Sequence, residues 1–200
     1  MSVEWIRGEG YYANSYVSGN ILVDAGVNPA CYEKFRDEID TIVLTHCHYD
    51  HIAHLAQAVH MCGAKVCIHE ADANGISDDS KSLSVMFGQR SPGIVPDRIL
   101  RDGDFVGDFE VIHTPGHTRG CICLYDKNNQ NLICGDTVFT DGGFGRFDFP
   151  GGSLEDLYSS IKRLSKLEVR GLYPGHGVPA DIGGSCHIQA ALRSIEISYL

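Results

Sequence analysis

Three imidazoles and a carboxylate fall within six residues, His46-Cys47-His48-Tyr49-Asp50-His51. In extended backbone, residues two apart point the same way, so His46 and His48 can share one target. Asp50 and His51 come where a helix is expected to start and can aim at a neighbouring point. Nitrogen and oxygen donors packed this closely suit divalent cations, and their number suits two. Three later stretches end in similar donors. Val111-Ile112 runs into His113-Thr114-Pro115-Gly116-His117, Leu132 to Cys134 into Gly135-Asp136-Thr137, and Gly171 to Tyr173 into Pro174-Gly175-His176. Each donor has a glycine beside it, which admits a close backbone approach.

These donors need rigid elements behind them. The apolar, β-branched run Ile39 to Leu44 reads as a buried strand ahead of the first cluster. Ile52, Leu55 and Val59 read as one face of the helix behind it. Upstream, Tyr16 to Val23 broken at Ser18-Gly19-Asn20 predicts a hairpin. Asp24-Ala25-Gly26 turns the chain, and Pro29 to Glu38 predicts a helix. Lys65 to His69 predicts a strand and Glu70 to Gly75 a helical turn. Ser77 to Asp97 reads as a long loop, either a cover over the site or a surface excursion. Further strands are expected at Arg98 to Leu100, Phe105 to Ile112, Cys121 to Tyr125, Asn131 to Cys134 and Val169 to Tyr173. Ser153 to Asp156 resembles a capping box, and Leu154, Leu157, Tyr158, Ile161 and Leu164 mark the helix face it would open. Ile188, Leu192, Ile195 and Tyr199 predict a closing helix. Strands inside and one-faced helices outside point to an α/β class, a sheet sandwich flanked by helices, in a single domain over residues 1–200.

Composition narrows the function. The net charge is −10 with histidine neutral, which disfavours nucleic acid as a partner, because phosphate binding needs Lys and Arg clusters. The start of the chain, Met1 to Gly10, carries Glu4, Arg7 and Glu9 and lacks the apolar core of a targeting signal. No stretch approaches the roughly 20 apolar residues of a membrane span. Eight cysteines, scattered and without a C-x-x-C pair, predict free thiols in a reducing compartment, the cytoplasm. A small molecule is the expected substrate, and the oligomeric state is left open.

The sequence resembles the metallo-β-lactamase superfamily. His46, His48, Asp50 and His51 meet its HxHxDH signature. His117, Asp136 and His176 meet its later single ligands in order, and Asp24 matches the acidic residue of its early VDxG turn, with a supporting role implied. The resemblance runs from about Asn14 to His176. It implies an αββα four-layer sandwich with two mixed sheets. It also implies two divalent metals, zinc, iron or manganese: His46, His48 and His117 on one, Asp50, His51 and His176 on the other, Asp136 between them. Water between two such cations, about 3.5–4 Å apart, has its pKa lowered toward roughly 7 and would attack an acyl carbonyl as hydroxide. Asp50, His51 and Asp136 are the catalytic candidates.

Asp136-Thr137 with Gly145-Arg146-Phe147-Asp148 looks like the glyoxalase II branch, which implies hydrolysis of a hydroxyacyl thioester. That branch in its larger form adds a helical domain that holds the thiol carrier, and only 24 residues follow His176 here. Tyr49, Phe144, Arg146 and Tyr173 are the substrate-binding candidates, with Tyr11, Tyr12 and Asn14 as further pocket residues. The alternative is a persulfide dioxygenase-like oxidoreductase using one iron on His46, His117 and Asp136. Another ester or lactam hydrolase and a non-enzymatic metal-binding protein stand behind it. His113 is expected to support the site or pack, His54 to bond a ligand or pack, and Cys47 to point away from the metals. His60, His69 and His187 are given no role.

Overall fold

The computed structural model describes residues 2–198. The chain divides between Leu100 and Arg101 into two compact units, each built on one mixed sheet. In the first unit the strands are β1 (Glu4–Ile6), β2 (Ser15–Ser18), β3 (Ile21–Val23), β4 (Thr41–Val43), β5 (Lys65–His69) and β6 (Arg98–Leu100), with α1 (Tyr49–Ile52) and α2 (Leu55–Cys62) between β4 and β5. The six strands lie in sequence order. The first three pair antiparallel, the last three join in parallel.

Register places the first donor cluster. Val23 stands opposite Val43, and Val43 opposite Cys67, so β3 and β4 end level. Asp24 therefore emerges beside Thr45. Alternate residues Leu22, Ile42, Val66 and Ile68 pack on one face of the sheet against Leu55 and Ala58 of α2 and against Tyr32, the period of two that strands impose.

Three expectations needed correction here. The helix over Pro29 to Glu38 is a 3-10 stretch, Pro29–Phe35, broken at Tyr32, whose φ of −128° is not helical. Tyr32 is fully buried, so packing of its ring overrides helix propensity. The helix behind the cluster is also two pieces: α1 stops at Ile52, and α2 starts at Leu55 with His54 as its non-helical cap. The turn expected at Glu70 to Gly75 forms slightly later, as a 3-10 turn at Ala73–Ser77.

The second unit holds β7 (Phe105–Val106), β8 (Phe109–His113), β9 (Ile122–Asp126), β10 (Asn131–Gly135), α3 (Leu154–Leu164), β11 (Gly171–Pro174) and α4 (Gly184–Ile197). Its sheet runs β11-β10-β9-β8-β7, with β10 and β11 parallel and the rest antiparallel. The single strand expected over Phe105 to Ile112 is a hairpin: Phe105 pairs with Glu110 and Val106 with Phe109, the chain reversing at Gly107-Asp108. Ser153 caps α3, its Oγ accepting from the Asp156 N–H at 3.2 Å. Leu157, Ile161 and Leu164 are fully buried, packed with Ile188, Ala191 and Ile195 of α4 and Leu132, Cys134 and Leu172 of the sheet. Each such side chain is worth about 2 kcal/mol of burial. Tyr199, expected on the closing helix, lies outside the described residues. Among the described residues no helix is long and apolar enough to cross a membrane.

Candidate metal centre

In the first unit one carboxylate organises the cluster. Asp24 sits just past β3 at φ 59°, a left-handed conformation that Asp tolerates better than most residues. Its N–H donates to the Val43 carbonyl, which fixes the turn. Its Oδ1 accepts the Thr45 N–H at 2.8 Å. Its Oδ2 accepts the Thr45 hydroxyl at 2.8 Å and His51 Nδ1 at 2.7 Å. A carboxylate only accepts, so His51 carries its hydrogen on Nδ1 and its lone pair on Nε2. The Thr45 hydroxyl has given its one hydrogen to Asp24, so toward His46 Nδ1, 3.1 Å away, it accepts. His46 takes the same tautomer. A buried carboxylate thus sets two imidazoles five residues apart with Nε2 ready to donate, the arrangement that raises ligand basicity.

The imidazoles are close together. The His46 ring centroid lies 4.8 Å from that of His48 and 4.1 Å from that of His51, and Asp50 Oδ2 is 3.9 Å from His51 Nε2. All three histidines are buried. The alternation expected from extended backbone is observed: Cys47 turns the other way, its thiol beside the Lys81 carbonyl and Gly75. His54 bonds no ligand through its Nδ1, which donates to the Gly26 carbonyl at 2.9 Å, while its ring meets Tyr12 edge-on. It braces the turn that carries Asp24.

The second unit gathers its donors from three loops. Asp136 Oδ2 stands 3.5 Å from His117 Nε2 and 3.6 Å from His176 Nε2. His117 Nδ1 donates to the Arg146 carbonyl, which fixes the same Nε2 tautomer. The loops are tied in pairs. The Thr114 and Thr137 hydroxyls bond at 3.0 Å, joining the His117 and Asp136 loops. Gly175 N–H donates to the Gly135 carbonyl at 2.8 Å, joining those of His176 and Asp136. A Cβ on Gly145 would fall 2.0 Å from the Asp136 carbonyl oxygen and 3.1 Å from His117 Cγ, so this position admits only glycine. Thr45, Thr114 and the Arg146 carbonyl were given no role from sequence, and Thr137 only a place in the Asp136-Thr137 motif. Thr45 and Thr137 directly adjoin a donor, which was a signal; Thr114 stands three residues before His117, and nothing in the sequence marks a backbone carbonyl. His113 is at the end of β8, its Nε2 within 2.9 Å of the Arg119 carbonyl.

The substrate-binding candidates are all engaged within their own unit. Tyr49 is buried with its ring 5.2 Å from Phe87. Phe144 packs against the second core. The Arg146 guanidinium chelates Asp148 at 2.7 and 2.9 Å and lies over the Phe149 ring. The Tyr173 hydroxyl donates to Asp181 at 3.3 Å; burial, with Asp181 beside it, pushes the phenol up to about 12.

His46, His48, Asp50 and His51 in the first unit, and His117, Asp136 and His176 in the second, are the residues whose donor atoms could hold a metal ion. Imidazole with carboxylate, and no thiolate, fits zinc, iron or manganese.

The chain belongs to the metallo-β-lactamase superfamily, whose family model matches residues 9–176. A probable metallo-hydrolase of Methanocaldococcus jannaschii is 33% identical over 196 residues, covering 88% of this chain and 93% of that protein. The crystal structure of TTHA1623 in a di-iron-bound form superposes with a TM-score of 0.82 at 28% identity, covering 93% of this chain and 98% of that one. The fold is therefore the α/β sandwich of the family, two mixed sheets flanked by helices, as expected from sequence. A human acyl-coenzyme A thioesterase is 34% identical over 160 residues, 67% of this chain but only 54% of that protein.

Proposed function

We propose that the chain is a metal-dependent hydrolase of thioesters with a two-metal centre, in a single catalytic domain. His46, His48 and His117 would hold one cation, Asp50, His51 and His176 the other, with Asp136 shared. The observation that carries this reading is the tautomer control: acceptor groups on Nδ1 of His46, His51 and His117 leave Nε2 as the ligating nitrogen in each. Bound there, such cations lower the pKa of water toward about 7 and polarise a carbonyl oxygen.

The chain's own groups supply the rest. The Asp50 carboxylate, 17% exposed, is the group that would orient the attacking water and take its proton. Asp24 keeps His51 and His46 from turning as charge develops. The Arg146 carbonyl does the same for His117. The Arg146 side chain, exposed on that loop, would meet an anionic part of the substrate. A thiolate leaving group needs little help from an acid, because thiol pKa values lie near 8.5. The thioesterase relative and the Gly145-Arg146-Phe147-Asp148 stretch support a thioester over a lactam. The di-iron neighbour supports iron as well as zinc for the metals. The cytoplasm is proposed on the scattered cysteine spacing, without a C-x-x-C pair.

The test is thiol release from acyl-coenzyme A and acyl-glutathione panels by protein reconstituted with Zn²⁺ or Fe²⁺. Release that disappears in Asp136→Ala is the expected result. No release from any acyl donor, or oxygen uptake with a persulfide instead, would contradict the reading.

A further inference from the structure

The segment after β5 contacts the ligand turn from the side opposite the imidazoles. Cys47 and Tyr49 alternate with His46 and His48, and their two N–H groups leave the chain on one edge. Both are taken by this segment. The Cys47 N–H donates to Asp72 Oδ2 at 3.1 Å, and the Tyr49 N–H to the Ser82 carbonyl at 2.7 Å. Cys47 is tucked against Gly75, where a Cβ would come within 2.2 Å of its sulfur.

The segment is itself braced. The Asp72 carbonyl accepts the Gly75 N–H, and the Asp78 carbonyl accepts the Ser82 N–H. Asp79 Oδ1 accepts the Ser91 N–H at 2.7 Å, and the Ser82 and Ser91 hydroxyls meet at 2.7 Å. Asp72 is only 5% exposed, and burying a carboxylate is costly unless it is used.

We propose that Asp72 is a positioning residue for the metal centre: its buried carboxylate clamps the peptide N–H between His46 and His48, and so holds both imidazoles on one face. This rests on the reading of His46 and His48 as metal ligands. Rotation of the chain about the Cys47 peptide would swing the two rings together, and the Asp72 contact opposes it. In this role the segment is a bracket behind the donors.

The test titrates Co²⁺ into the metal-free protein and follows the visible ligand-field bands. Asp72→Ala is expected to weaken binding about tenfold or more, the range that contacts behind metal ligands carry, and to shift the bands. Asp72→Asn keeps an oxygen that can accept from Cys47, and is expected to restore the bands and most of the affinity. Asp72→Glu keeps the charge but moves the acceptor by one methylene, and is expected to behave like Asp72→Ala. Should Asp72→Ala fail to fold, the Asn and Glu variants decide the matter. Wild-type affinity and bands in Asp72→Glu, or an Asp72→Asn as impaired as Asp72→Glu, overturns the proposal. A wild-type protein that takes up no Co²⁺ overturns instead the ligand reading beneath it.

Discussion

The two units present their donors in opposite ways. The first delivers four from one turn of six residues, and two carboxylates hold that turn, Asp24 through three short hydrogen bonds and Asp72 through the Cys47 N–H. The second delivers three from loops after three different strands, and holds them with contacts between loops: Thr114 to Thr137, Gly175 to Gly135, and the Gly145-Arg146 backbone against Asp136 and His117. One design concentrates its dependence on buried carboxylates, above all Asp24. The other spreads it over backbone and small side chains, so no one functional group carries it.

The largest effect is expected from Asp24→Ala. It leaves the Thr45 N–H, the Thr45 hydroxyl and His51 Nδ1 without their acceptor, all buried. A loss of about 3 kcal/mol or more is expected, read as a fall in the denaturant midpoint together with loss of metal. A variant as stable and as metal-rich as the parent would show that the first turn does not depend on Asp24.

A smaller loss is expected from Gly145→Ala. Its new Cβ must push the Asp136 backbone away, at about 1–3 kcal/mol. Metal content should fall further than stability alone explains, because His117 and Asp136 move together. Unchanged metal content would mean that the second set of donors tolerates displacement, and the contrast between the units would fail.

The smallest effect belongs to a support remote from the donors. Asp102 accepts Arg163 at 2.8 Å and the His113 N–H at 2.8 Å. Partial burial pushes its carboxyl up, but Arg163 and the His113 N–H outweigh it, so its pKa is held below the usual value. A carboxyl lowered on folding contributes stability above its unfolded pKa, about 4, and loses it as pH falls through the folded value. Asp102 is about half exposed, so solvent screening keeps the contribution below about 1 kcal/mol. Asp102→Asn should cost that small amount at neutral pH and progressively less in acid, by acid titration of the unfolding midpoint. An equal difference at neutral and acid pH would contradict the assignment.

The candidate donors stand out in the sequence because metal chemistry restricts residue type and because an extended chain's period of two puts His46 and His48 on one side. The strands were legible for a related reason: buried β-branched runs such as Ile39 to Leu44 have few other readings. The hairpin at Gly107-Asp108 was hidden inside the apolar stretch Phe105 to Ile112, where its two turn residues looked like a brief interruption. The 3-10 character of Pro29–Phe35 was hidden because burial of the Tyr32 ring, a tertiary event, decides it. The contacts behind the donors were the least legible. A family turn pointed to Asp24, but its relay through Thr45 to His46 depends on which hydroxyl hydrogen goes where. Tyr173 and Arg146 look like substrate contacts by type and place, and only their partners, Asp181 and Asp148, show how they are engaged.

The proposed two-metal centre makes a direct demand on stoichiometry. Metal content per chain after reconstitution with Zn²⁺, measured for the parent and for Asp136→Ala, tests it most directly. The expected result is close to two per chain in the parent and a fall below one in Asp136→Ala, because loss of a shared ligand weakens both positions. A parent holding no metal, or an Asp136→Ala variant that keeps its full complement, would contradict it.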